Sequence, residues 1–144
     1  MRRPSILILI LIASMLSCGK LEKLPTEPDD GGTEPIDPTA TFTRVQNEIF
    51  TPTCAKLGCH DTIVKQQGQV LVAGQAYNNI VNVTSVENPA LKRIAPGDPS
   101  SSYMYRKITG VGITGDRMPQ SLPPLPDAQI KLMRDWIRRG APND

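Results

Sequence analysis

Residues 54–60 read Cys-Ala-Lys-Leu-Gly-Cys-His, and His60 is the only histidine in the 144-residue chain. This segment constrains the fold more than any other. In an oxidising compartment two cysteines five positions apart invite a disulfide. A histidine directly behind the second invites a metal. One His and two Cys leave a ligand missing for a structural zinc site, and no His-Glu-x-x-His pattern supplies it. The surroundings are poor in core, with two Phe and one Trp against 14 Pro and 11 Gly. The apolar-periodic stretches are short, helices of that length are marginal alone, and the loops between them are long. A large apolar cofactor would fill the centre.

The start of the chain sets the compartment. Arg2 and Arg3 precede an apolar run from Ile6 to Ile12, and Ala13-Ser14-Met15-Leu16-Ser17 lead to Cys18. A basic region, an apolar region and small residues before a cut describe an export signal over residues 1–17. The run is far short of the roughly 20 residues of a spanning helix. Met15-Leu16-Ser17-Cys18 resembles the bacterial lipobox, with Met15 where that pattern favours Leu. The resemblance implies lipidation of Cys18 and a stable membrane anchor on the periplasmic or surface side of the envelope. Gly19 in place of an aspartate points to the outer membrane. The bland alternative is an ordinary signal that ends near a cysteine. The net charge of +2 falls to zero once Arg2 and Arg3 leave with the signal, and a neutral chain gives no basis for binding nucleic acid.

Residues 18–40 carry the lipidated terminus and a tether. Pro25, Pro28, Pro35 and Pro38 interrupt an acidic stretch that contains Glu34 and Asp37, too polar to offset its ordering entropy. Fully extended, such a tether reaches at most about 70 Å. The folded domain is expected over 41–144. Phe42, Val45, Ile49 and Phe50 recur at helical spacing, with Thr43 and Gln46 placed for a capping box and Pro52 halting the run. Short helices are expected over 76–81 and from Asp98-Pro99 to about Ile108. The clearest helix begins at Asp127, lines Ile130, Met133, Trp136 and Ile137 on one face, and ends at Gly140 and Pro142. Gln69 to Val72 is compatible with a short extended piece.

The usual haem-attachment motif is C-x-x-C-H; here four residues separate Cys54 from Cys59, and Gly58 eases the wider loop. That longer form also occurs in c-type cytochromes, where two thiols form thioethers to haem and the adjacent histidine ligates iron. Lipid on Cys18 and thioethers on Cys54 and Cys59 would leave no cysteine over. A Cys54–Cys59 disulfide with His60 on the surface satisfies the same arithmetic. With one histidine, a sixth ligand has to be methionine, a weaker donor, or nothing. Met104 and Met133 sit in helical patterns and read as core fillers, whereas Met118 lies in the loop Gly115-Asp116-Arg117-Met118-Pro119.

The order of short helix, cysteine–histidine motif, Pro96-Gly97-Asp98-Pro99 with Ser102-Tyr103, Arg117-Met118-Pro119 and a helix ending Trp136-Ile137 before Gly140-Ala141 resembles small class I cytochrome c-like domains of bacterial envelope proteins. The resemblance covers essentially all of 41–144. It implies an all-α fold of three to five short helices with long loops around one haem c, the first helix (Phe42, Val45, Ile49) crossing the last (Met133, Trp136, Ile137). It implies Met118 as the distal axial ligand opposite His60, and it makes Tyr103 and Arg117 candidates for contact with the haem propionates. The expected activity is electron transfer to redox partner proteins, since methionine opposite histidine raises the potential and closes the iron to substrates. No Ser/His/Asp set, paired carboxylates or phosphate loop argues for an enzyme. Two other readings stay open: an open sixth position that binds a small gas or peroxide, and a haem-free, disulfide-stapled lipoprotein that binds or scaffolds a partner.

Overall fold

The computed structural model describes Gly32 and residues 34–144. The expected export signal 1–17, the lipidation site Cys18 and the tether to residue 31 lie outside the described residues.

The first helix, α1 (Phe42–Val45), starts at Thr41, whose hydroxyl accepts the Arg44 N–H at 3.2 Å. Thr43 is therefore not the cap: its hydroxyl donates to the Asp144 carbonyl. The Asp144 side chain takes the Phe42 N–H at 2.9 Å and its carbonyl takes that of Thr43. Negative oxygens at a helix start suit both the orphan donors and the dipole. Nor does Pro52 halt the run. The chain widens instead into a π-helical stretch, Gln46–Cys54, that contains Pro52 and closes with the Ala55 N–H on Phe50 O. Proline has no N–H and its ring crowds the carbonyl four residues back. That carbonyl, of Glu48, accepts instead from the Gln129 side chain at 2.8 Å. Wide turns of this kind are frequent at functional sites, and this one ends on Cys54.

The helix α2 (Ala76–Ile80) is one turn long. Helix α3 (Tyr103–Thr109) begins later than the Asp98-Pro99 pair suggested. Asp98 caps a turn, accepting from the Ser100 hydroxyl and the Ser101 N–H. The first donors of α3 go to neighbouring backbone, Tyr103 N–H to Lys92 O and Met104 N–H to Arg93 O. Helix α4 (Asp127–Arg138) matches its expected span. The regular secondary structure of the described residues is thus helical, with no strand and only isolated bridges such as Val81 to Ile94. Residues 69–72 form no strand.

The core forms where α1 and the π stretch meet α4. Val45, Ile49, Met133, Trp136 and Ile137 are all fully buried. The Phe42 ring meets Trp136 at 5.5 Å and stands edge-on to Tyr77 at 5.2 Å, a geometry aromatic quadrupoles favour. Trp136 and Tyr77 donate to the carbonyls of Pro142 and Ala141, so the tail is stitched to the same cluster.

The packed chain starts at Glu34 rather than at residue 41. Ala40 is fully buried, Glu34 pairs with Arg134, and the Asp37 N–H donates to Asp135 at 3.2 Å. Acidic residues that argued for a free tether are bound instead, Glu34 by Lys131 and Arg134 of α4 and Asp37 by Arg44 of α1. Asp135 is fully buried at the centre of this contact and takes a hydrogen bond from Lys131. Burial alone would raise its pKa, but the bond from Lys131, the Asp37 N–H and the nearby cations carry it below the ordinary carboxylate range.

Substituting Asp135→Asn should cost about 2–3 kcal/mol in a urea titration at pH 7, less than the roughly 3–5 kcal/mol of a fully buried pair because Lys131 can return to water. Asp135 contributes fully above its ordinary value of 3.8, and that contribution is lost as pH falls from there through the lowered folded value. The gap between wild type and variant should therefore close below about pH 4. A gap that stays constant into acid would contradict this.

Candidate functional site

A cavity of about 600 Å³ opens beside the π stretch, within the roughly 300–1,000 Å³ of small-molecule and cofactor sites. Cys54, Cys59, His60, Tyr103 and Met118 all line it, although they are spread over half the folded chain. Its buried lining includes Ile49, Phe50, Leu71 and Met133. Met104 lines it as well. The two helical methionines thus belong to the cavity wall as well as to the core, beyond the filler role expected of them. Arg117 does not line it. The stem of Arg117 lies against Gly110, where an added Cβ would come within 2.8 Å of it, and Arg117 faces a neighbouring shallow pocket.

The cysteine–histidine segment is held from its own backbone outward. The His60 N–H reaches Cys54 O at 3.3 Å, Leu71 N–H bonds His60 O at 2.8 Å, and Gln66 N–H bonds Cys59 O. Gly58 takes a positive φ of 84°, a conformation that costs glycine nothing. Asp61, which the sequence reading passed over, holds this loop. Its carboxylate accepts the N–H groups of Gly58 at 2.7 Å, Ile63 at 2.7 Å and Val64 at 2.6 Å. Those donors, Val64 first, hold the Asp61 carboxyl below its ordinary range despite some desolvation. The signal was present in the sequence as an aspartate immediately after the motif, in a position suited to an Asx turn.

Cys54 and Cys59 are free thiols. Burial, with Cys59 adding to it, pushes Cys54 up to about 12, so it stays protonated at neutral pH and is slow in disulfide exchange, which runs through thiolate. Burial also lowers the pKa of His60, against the pull of the Gln69 and Gln66 backbone. The imidazole is therefore neutral at pH 7, the form that binds metals. Its Nδ1 is buried without a hydrogen bond among the described residues. No group of three or more His, Cys, Asp or Glu among the described residues is placed to hold a metal. A metal here would rest on His60, a sulfur of methionine and a ligand of its own.

Helix α3 holds the Met118 loop. The Met118 N–H donates to Lys107 O at 2.8 Å, and Lys107 Nζ donates to Thr114 O at 3.0 Å. The Tyr103 hydroxyl accepts the Thr114 N–H at 3.0 Å. In that bond the hydroxyl spends a lone pair and keeps its proton to donate. Lys107 also pairs with Glu87 at 3.0 Å, and both line the cavity.

No family model matches the chain, and no curated protein or solved structure matches it either.

If Asp61 orders the motif loop, Asp61→Ala should accelerate amide hydrogen exchange at Gly58, Ile63 and Val64 while α4 keeps its protection. The wild type should show the same loosening as pH falls below the ordinary carboxylate value of 3.8 and through the lowered one. Unchanged exchange at those three amides would remove Asp61 from this role.

Proposed function

We propose that this chain is a monohaem c-type cytochrome, a lipoprotein that carries electrons in the bacterial envelope. The observation that carries the reading is the single cavity lined by Cys54, Cys59, His60 and Met118. A pair of thiols, a neutral imidazole and a thioether sulfur around one apolar space are the donor set that a covalently held haem needs. The packing of α1 against α4 beside that space also suits a cytochrome c-like fold. Bound haem would supply one-electron exchange at its iron.

The chain's own residues then have distinct tasks. Cys54 and Cys59 would hold the group covalently, and His60, next to Cys59, would have its imidazole fixed toward the iron. Met118 would offer its sulfur to the iron from a loop held by Tyr103 and Lys107. Ile49, Phe50, Leu71 and Met133 exclude water, which favours the reduced, less charged state. Leu57 within the motif and Ile63 just after it, 81% and 76% exposed, offer a small apolar contact of the kind a transient redox partner uses. The anchor at Cys18 would keep the domain at the membrane, with the outer membrane favoured by Gly19.

Produced in a host with haem-attachment machinery, the protein should be red and keep its haem on a denaturing gel. Cys54→Ala with Cys59→Ala should release it. Met118→Ala should change the sixth-ligand spectrum and lower the midpoint potential, whereas Met104→Ala should leave the ligand spectrum as it is. A colourless protein sinks the reading. A Met118→Ala spectrum identical to wild type assigns the sixth position elsewhere or leaves it open to a small ligand.

A further inference from the structure

Arg93 lines the same cavity and is 8% exposed. Its guanidinium bonds only neutral groups. One terminal nitrogen donates to the Asn79 carbonyl and to Asn79 Oδ1, each at 2.8 Å, and the other donates to Gln67 O at 2.9 Å. The remaining buried cations have carboxylates. Lys107 has Glu87, and Arg134 has Glu34 and Asp135. Among the described residues Arg93 has no such partner. Burial accordingly lowers its basicity with nothing to offset it. A buried ion without a counter-charge is costly, and its removal or its pairing is the usual resolution. The carbonyls of Gln67 and Asn79 fix the guanidinium plane, and a planar fork of donors suits a carboxylate.

We infer that Arg93 is the counter-charge for a carboxylate of the cavity's ligand, and, resting on the haem reading above, for a haem propionate. Arg117 and Tyr103 were the candidates that sequence supplied. Arg117 lies off the cavity and Tyr103 carries no charge, so neither could neutralise a propionate there. Arg93 also sits in the segment whose carbonyls start α3, Lys92 O and Arg93 O. The residue that grips the propionate would thus be tied to the helix that holds the Met118 loop. A fixed positive charge paired with a propionate favours the reduced state, so Arg93 would act as a positioning residue that raises the potential.

The test uses the full-length holoprotein with Arg93→Gln and Arg93→Lys. Two readouts are taken, the midpoint potential and the propionate bending band in the resonance Raman spectrum. Arg93→Gln should lower the potential and shift the propionate band while the methionine-ligand spectrum stays unchanged. Arg93→Lys should recover most of the potential and only part of the band shift, because it restores charge without the planar fork. If the Gln variant does not fold, the Lys variant alone reads the band shift. Wild-type potential and band in a haem-loaded Gln variant overturn the role of Arg93 and leave the haem reading standing. Equal shifts in both variants also overturn it, since they would mark a structural disturbance. A wild type that carries no haem overturns both.

Discussion

The meeting of the first and last helices is the contact on which the other parts of the domain rest. Neither α1 nor the π stretch has enough turns to stand alone, and they persist because Val45 and Ile49 are buried against Met133, Trp136 and Ile137. The same contact takes up both ends of the folded chain. Asp144 caps α1, and residues 34–40 dock on the cations of α4. It also decides where the chemistry sits. Gln129 of α4 accepts the cost of Pro52 by donating to the Glu48 carbonyl, which lets the wide turn run on to Cys54.

Around that contact the domain leaves space open instead of filling it. A side-chain core of this size cannot cover the helices on every side, and the open side is where the thiols, the imidazole and three methionines converge. The polar groups at that space are held with care. Asp61 ties the motif loop by three N–H groups, Lys107 ties the Met118 loop and balances Glu87, and Arg93 keeps an unmatched charge. On the proposed reading, that cation and the imidazole of His60 would receive a ligand that brings a metal and a carboxylate together.

Much of this was legible in the residues. Helix α4 was readable because its apolar positions follow the helical period without interruption, and the cysteine–histidine segment stood out because its donors are neighbours in sequence. Five of the six residues singled out beforehand, Cys54, Cys59, His60, Tyr103 and Met118, line one cavity. The parts that were missed depend on distant partners. Pro52 breaks a helix only if nothing else can take the Glu48 carbonyl, and Gln129 lies far away in sequence. Glu34 and Asp37 read as tether because composition does not show that Glu34 will meet cations of α4 and Asp37 will meet Arg44 of α1. Arg117 was, with Tyr103, a candidate for contact with the propionates, but its stem lies against Gly110 and it does not line the cavity. Arg93 had no local mark at all, and its lack of a carboxylate appears only once the chain is folded.

The central claim is chemical and concerns two sulfurs. The most direct measurement is peptide mass mapping of the exported protein across residues 54–60. The account predicts a fragment carrying the mass of one haem joined through both Cys54 and Cys59. A fragment lighter by two hydrogens, with Cys54 and Cys59 joined to each other, would contradict it.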